Sequence, residues 1–218
     1  MFSYQPPPHN QLDIRYCDDD ILVINKPAGL LSVPGRAPEH QDCMISRVQL
    51  DYPEALIVHR LDLSTSGLMV MARGKEAHRN LNRQFAQRRV EKTYIAVVHG
   101  SVDPAIGTID LPLICDWPNR PRQIVDHTEG KSAQTEYRTL HYDASANSTR
   151  IELKPITGRT HQLRVHMQAL GHPILGDDLY ADDATLQKAD RLLLHAESLA
   201  FAHPSNQRLL SFKQPAPF

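Results

Sequence analysis

The chain has 218 residues, 41% hydrophobic and 22% charged, an ordinary globular composition with enough length for one domain to bury a core. A net charge of −1 excludes a generic basic nucleic-acid coat, and three well-separated cysteines (Cys17, Cys43, Cys115) exclude a disulfide framework or a paired-cysteine zinc site. No apolar run approaches the ~18 residues of a membrane span. With neither a charged leader nor an apolar core at its start, the chain is expected in a reducing cytoplasm, off the membrane, with its thiols packed as small hydrophobes.

Residues 1–17, which include Pro6-Pro7-Pro8, are expected to form a partly flexible extension, and residues 18–218 a single domain. Ile21-Leu22-Val23-Ile24 reads as a buried strand that ends in the turn Asn25-Lys26-Pro27-Ala28-Gly29. A short helix is expected over residues 41–51, with Asp42 as N-cap and Pro53 beyond its end. Two apolar strands, around Leu56-Ile57-Val58 and Leu68-Met69-Val70-Met71-Ala72, bracket a polar loop holding His59-Arg60-Leu61-Asp62. Over residues 75–88, Ala77, Leu81 and Phe85 recur at i, i+4, i+8, which predicts a helix with an arginine-rich opposite face.

Residues 93–99 read as a strand. Frequent Pro, Asn and Gly over 103–130 predict ordered loops with short strands between them. Residues 135–141 and 149–153 look like paired strands. Residues 160–170 read as a helix capped by Thr157 or Thr160, with Gly171 suited to the left-handed position after it. Ser211-Phe212 lies in a short last strand. The sum is a mixed α/β chain with more strand than helix and hairpin-length links.

Charge is polarised although the total is near zero. Residues 73–92 carry Arg73, Lys75, Arg79, Arg83, Arg88, Arg89 and Lys92 against only Glu76 and Glu91. Acid gathers at Asp18-Asp19-Asp20 and around Asp177, Asp178, Asp182 and Asp183. A basic working face can bind RNA at zero net charge, though a charge run is more often a solvated surface. Asp62 reads as a catalytic carboxylate, a turn former or an ion-pair partner. Arg60, two positions away, would share its face in a strand-like stretch, and Thr65-Ser66-Gly67 supplies hydroxyls and a flexible backbone. In the run from Lys154 to His166, His161 and Arg164 are i, i+3 neighbours near a helix start that suits phosphate. The alternative is a helix with ordinary surface charges.

Twelve histidines raise the question of a metal. His161 and His166 point about 140° apart on a helix, no His-Glu-x-x-His occurs, and no metal site is expected. Neither a Gly-x-Ser-x-Gly elbow nor a phosphate-cradling Gly-x-x-x-x-Gly-Lys loop is present.

Three runs, in order, resemble the RluA family of pseudouridine synthases: Asn25-Lys26-Pro27-Ala28-Gly29-Leu30, then His59-Arg60-Leu61-Asp62 with Thr65-Ser66-Gly67, then the run from Gly158 through Arg159-Thr160-His161-Gln162-Leu163-Arg164-Val165 to His166. The likeness covers residues 18–212, and Ile114-Cys115-Asp116-Trp117-Pro118-Asn119-Arg120-Pro121 is similar to the branch that acts on both tRNA and 23S rRNA. The resemblance implies a central, mostly antiparallel sheet flanked by helices and loops, one catalytic domain over 18–218, and no S4-like RNA-binding domain. It implies isomerisation of uridine in RNA without cofactor or metal, with Asp62 as the essential carboxylate. Tyr94 would stack on the base and serve as base at C5, Arg164 would pair with the aspartate, and Leu163 would close the pocket.

Tyr94 stacking, and Arg60 filling the space of the extruded nucleotide, fit a base-flipping enzyme. Arg159, His161, Thr65, Arg79, Arg83 and Arg88 are the expected further RNA contacts, with Trp117, Arg120 and Arg122 reading loop shape; Trp117 reads equally as core. The expected partners are the tRNA anticodon stem-loop at position 32 and a 23S rRNA stem-loop at position 746, met by a monomer. The rival readings are a non-catalytic stem-loop RNA-binding module and a sugar-directed hydrolase, which would need a second carboxylate about 5–10 Å away.

Overall fold

The computed structural model describes residues 4–218; Met1–Ser3, the start of the expected extension, lie outside the described residues. Two compact units emerge, one from the residues up to Lys92 with Ala196–Pro217, the other from Thr93–His195 with Phe218.

The first unit begins with β1 (Ile14–Cys17), β2 (Ile21–Lys26), the helix α1 (Met44–Asp51), β3 (Ala55–Ile57), β4 (Ser66–Arg73) and α2 (Lys75–Ala86). β2 pairs antiparallel with β1 and β4, and β4 pairs antiparallel with β3. Ile21-Leu22-Val23-Ile24 runs alongside Ala72-Met71-Val70-Met69, and all eight residues are buried. Strands covered on both faces read as unbroken apolar runs, and each of these side chains larger than Ala72 contributes about 1.5–3 kcal/mol by burial. The predicted stripe of α2 is confirmed: Ala77, Leu81 and Phe85 join Ile21, Val23, Leu68 and Val70 in one cluster, and Arg79 and Arg83 face solvent. The helix ends at Ala86, so Arg88 follows it, in a left-handed conformation (φ 57°).

α1 starts later than predicted. Cys43 is its N-cap, and its N–H donates to the Ser46 Oγ at 2.9 Å. Asp42 is drawn away from capping because Arg47, buried to 6% exposure, takes its carboxylate at 2.7 and 2.8 Å. The same guanidinium donates to the carbonyls of Pro7 and Pro8, and the buried Tyr4 donates its hydroxyl to Asp42 O and accepts from Leu31 N–H.

The second unit holds most of β5 (Glu91–His99), then β6 (Ile106–Asp110), β7 (Leu113–Cys115), β8 (Gln123–Val125), β9 (Gln134–Asp143), β10 (Ser148–Pro155), α3 (Gln162–Ala169) and the single-turn α4 (Asp183–Leu186). Its sheet runs β5-β10-β9-β6, every pair antiparallel, and β7 and β8 form a separate hairpin. Ala96, Val98, Ile151 and Leu153 from the sheet pack with Leu163 and Met167 of α3.

Neither Thr157 nor Thr160 caps α3. The helix starts at Gln162 after His161 in the left-handed region (φ 53°), while the Thr157 hydroxyl is spent on Gln162 Oε1 and the Gln134 N–H. Gly171 does take the left-handed conformation after the helix (φ 88°). Chain from the second unit returns through β11 (Leu194–Ala202), which pairs antiparallel with β12 (Leu209–Lys213) in the first. The expected mixed fold with mostly antiparallel strands and few helices is therefore what forms. Of the two readings of Trp117 the core one falls away, since the ring is 65% exposed, and the expectation of packed thiols fails at Cys17, which is exposed, although Cys43 is buried.

Candidate active site

In the first unit, the Asp62 loop is fixed on both sides of the aspartate. Ser32 Oγ donates to Leu61 O (2.6 Å) and accepts from Leu61 N–H (3.1 Å). On the other side, Leu63 O accepts from the Lys26 ammonium (3.1 Å) and from Gly29 N–H (2.9 Å). Lys26 is fully buried and also donates to Pro27 O and Leu30 O, which shapes the turn that Gly29 completes at φ 78°. The Asn25–Gly29 run thus serves as the mould for the loop bearing Asp62.

Thr65 N–H donates to Asp62 O (3.2 Å), closing a turn that leaves the aspartate half-buried. The Thr65 hydroxyl is buried and unpartnered among the described residues, a state that costs about 1–3 kcal/mol and marks it for a ligand or water contact. Two residues on, Gly67 sits at φ 117°, and a Cβ there would run into the backbone of Ala196. Residues 58–62 are loop rather than strand, so the alternation expected to align Arg60 with Asp62 does not apply; Arg60 is exposed. Arg79, Arg83 and Arg88 are exposed as well.

In the second unit, Tyr94 lies half-buried on β5 opposite Leu153, against the core cluster. Leu163 is buried. Arg164, 3% exposed, is gripped by Asp177 through Nε (2.8 Å) and Nη2 (2.6 Å) and reaches Asp178 at 3.0 Å. The Asp177 carboxylate is fully buried and accepts also from the N–H groups of Leu179 and Tyr180. The buried Tyr180 ring lies 5.1 Å from the Arg164 guanidinium and 5.4 Å from that of Arg122, and its hydroxyl bonds His161 Nδ1 (2.7 Å) and Gln123 N–H (2.8 Å). One aromatic ring therefore joins α3 to the β7–β8 hairpin, whose tip exposes Trp117 beneath Arg120.

Sequence reasoning missed Asp177 and Tyr180. It placed that acid away from the basic motif, whereas a buried arginine must find a carboxylate, here 13 residues along the chain. Arg159 is exposed and donates to Ser132 O. His166 is buried between Thr135 Oγ1 and Leu111 O, and burial lowers its pKa, so it is a neutral structural histidine.

Among the described residues, Asp18, Asp20 and His203 offer three potential ligand atoms within 4.8 Å, a trio the sequence reading did not weigh. Those atoms are engaged in the fold. His203 Nε2 donates to Asp18 (2.9 Å), its Nδ1 accepts from Ser205 and Asn206, and Asp20 accepts from the Ser205 hydroxyl. The trio clasps the β1–β2 turn to the β11–β12 turn.

A sequence model of the family described as RNA pseudouridylate synthase matches residues 20–169, a span that includes Asp62, Tyr94 and the Arg164 motif. The chain belongs to that family. Like other RNA pseudouridylate synthases it is an isomerase acting on RNA, and the non-catalytic binding module falls away. It is 56% identical over 218 residues to the dual-specificity RNA pseudouridine synthase RluA of Escherichia coli (strain K12), covering 100% of this chain and 99% of that one. The protein of that name from Vibrio vulnificus is 52% identical over 221 residues, covering 100% and 88%. Among solved structures, human RNA pseudouridylate synthase domain containing 1 superposes with a TM-score of 0.81 at 30% identity, covering 98% of this chain and 87% of that one. The human domain containing 4 protein gives 0.75 at 27%, covering 94% and 88%.

Proposed function

We propose that this synthase isomerises uridine in two RNA stem-loops, the tRNA anticodon arm at position 32 and a 23S rRNA hairpin at position 746, with Asp62 as the carboxylate of the reaction. The observation that carries the assignment of Asp62 is its loop, pinned at Leu61 by Ser32 and at Leu63 by Lys26 and Gly29, which presents one half-buried carboxylate on a rigid scaffold. Isomerisation breaks the N1–C1′ bond, turns the base and joins C5 to C1′, with loss of the C5 proton. Asp62 serves the sugar–base cleavage in its ionised form. Tyr94 stacks on the base and takes the C5 proton, Arg164 keeps the reacting carboxylate charged, and Leu163 closes the pocket, roles carried by the motif resemblance.

The target nucleotide must first leave its stack, which costs a few kcal/mol and is cheapest in loops. Arg60 takes its place in the stack. The exposed arginines 79, 83 and 88, with Arg159 and His161, track phosphates, and the Thr65 hydroxyl contacts the extruded nucleotide. Two targets are favoured by the dual-specificity name of relatives 56% identical over the full chain. We place the enzyme in the cytoplasm as a monomer whose residues 18–218 act as one catalytic domain, without metal or cofactor. Pseudouridine mapping in RNA from cells with and without this protein tests the proposal. Loss at tRNA position 32 and at one 23S hairpin is expected, and an unchanged map would refute it.

A further inference from the structure

β3 pairs with β4 at only three positions, Ala55–Arg73, Leu56–Ala72 and Ile57–Met71. One more step of the ladder would set the backbone after Ile57 against Val70. Instead the chain leaves the sheet, and the Val70 N–H donates to Nε2 of His59 at 3.1 Å. Val70 is fully buried, and a desolvated amide left unpaired is costly, so the imidazole is what lets the backbone peel away at this point.

The ring is held in one state. As an acceptor, Nε2 carries no proton, which leaves the neutral tautomer with its proton on Nδ1. Burial, seconded by the charge of Lys92, pushes the His59 pKa down to about 3, so the ring stays neutral across the working range and is no proton shuttle. It stacks on Phe85, with centroids 4.7 Å apart and planes at 24°. Phe85 belongs to the apolar stripe of α2, whose other face exposes Arg79 and Arg83. One side chain therefore ties together the edge of β4, the basic helix and the entry to the loop in which Arg60 and Asp62 follow.

We infer that His59 is a positioning residue for Asp62: its acceptor bond from Val70 N–H fixes where the chain leaves β4, and so fixes the carboxylate's place, without contact to the RNA. The inference rests on the reading of Asp62 as the reacting carboxylate. Ser32 and Lys26 hold the loop on either side of Asp62, and His59 supplies the anchor at its entry.

The test is single-turnover tritium release from 5-tritiated uridine in an anticodon stem-loop, with full-length protein and well below every variant's melting midpoint. Stem-loop affinity is measured in parallel. His59→Phe keeps the aromatic stack and removes the acceptor; His59→Gln places an amide oxygen near the Nε2 position. Misplacement by about 1 Å costs on the order of 10²-fold in rate, so His59→Phe is expected to slow the chemical step about 10- to 100-fold with affinity changed by less than about threefold. His59→Gln is expected to recover most of that rate. A His59→Phe enzyme of normal rate, whatever its melting temperature, or a His59→Gln enzyme as slow as His59→Phe, overturns the inference. If His59→Phe does not fold, His59→Asn, whose shorter amide stops short of Val70, takes its place against His59→Gln with the same outcomes. Asp62→Asn in the same assay separates the two readings. Activity in Asp62→Asn overturns the assignment of Asp62 itself, while an inert Asp62→Asn beside an unaffected His59→Phe overturns only the role of His59.

Discussion

Replacing Asp177 with Asn strikes the electrostatic centre of the second unit. Arg164 and Asp177 are 3% and 0% exposed, with Nη2 and Oδ1 2.6 Å apart, and the carboxylate accepts four hydrogen bonds in all. Asn keeps the shape and one acceptor oxygen but not the charge, so the buried guanidinium loses its fully buried carboxylate, and Asp178 beside it is 59% exposed. Removing one partner of a buried pair costs about 3–5 kcal/mol, a large part of the roughly 5–15 kcal/mol that stabilises a folded chain. For a chain of this size, each kcal/mol lowers the melting midpoint by about 2–4 °C, which gives a drop of about 6–20 °C. Urea and thermal unfolding followed by circular dichroism measure it, with Asp178→Asn as the solvent-exposed control, expected to lose no more than about 1 kcal/mol. Equal losses for the two variants, or a loss below about 1 kcal/mol for Asp177→Asn, would refute the claim that the buried pair organises Arg164.

Gly67→Ala should destabilise by several kcal/mol or prevent folding, read as the yield of soluble protein and its melting midpoint, because the new methyl meets the Ala196 backbone at a positive φ. Trp117→Ala should leave stability within about 0.5 kcal/mol, since the ring is exposed, while weakening stem-loop binding by about 1–3 kcal/mol in a filter-binding titration. Stability should fall with acid. Folded His59 stays neutral down to a pKa of about 3 and His166 is likewise lowered, whereas an unfolded histidine takes its proton near 6.5. The sign follows: both contributions are complete above about pH 6.5 and are lost on descent, that of His59 down toward pH 3, by up to about 1.4 kcal/mol per pH unit per histidine. Urea midpoints at pH 7 and pH 5 check this, and His59→Gln should flatten the difference.

The legible parts of this chain are those with local causes. The spacing of Ala77, Leu81 and Phe85 gave α2, the unbroken apolar runs gave β2 and β4, and Gly171 marked the end of α3. Asp62 stood out through its motif and neighbours in sequence. What escaped depends on partners far along the chain. Asp42 failed as an N-cap because buried Arg47 competes for it, a fact invisible until Pro7 and Pro8 are seen on the same guanidinium. Thr160 failed as a cap because His161 turns left-handed next to Tyr180. β11 carries His195, Glu197 and Ser198 among its apolar residues, which blurs the period that would announce a strand. Lys26 would pass as a solvated turn residue by composition, yet it is fully buried, with its ammonium donating to three carbonyls that shape the loop around Asp62.

The most direct test of the account is the Asp62→Asn enzyme on the two stem-loops. With a melting midpoint and RNA affinity close to those of the parent, it is predicted to release no tritium from 5-tritiated uridine in either RNA. Release at a substantial fraction of the parental rate would contradict the assignment of Asp62 as the carboxylate that drives the isomerisation.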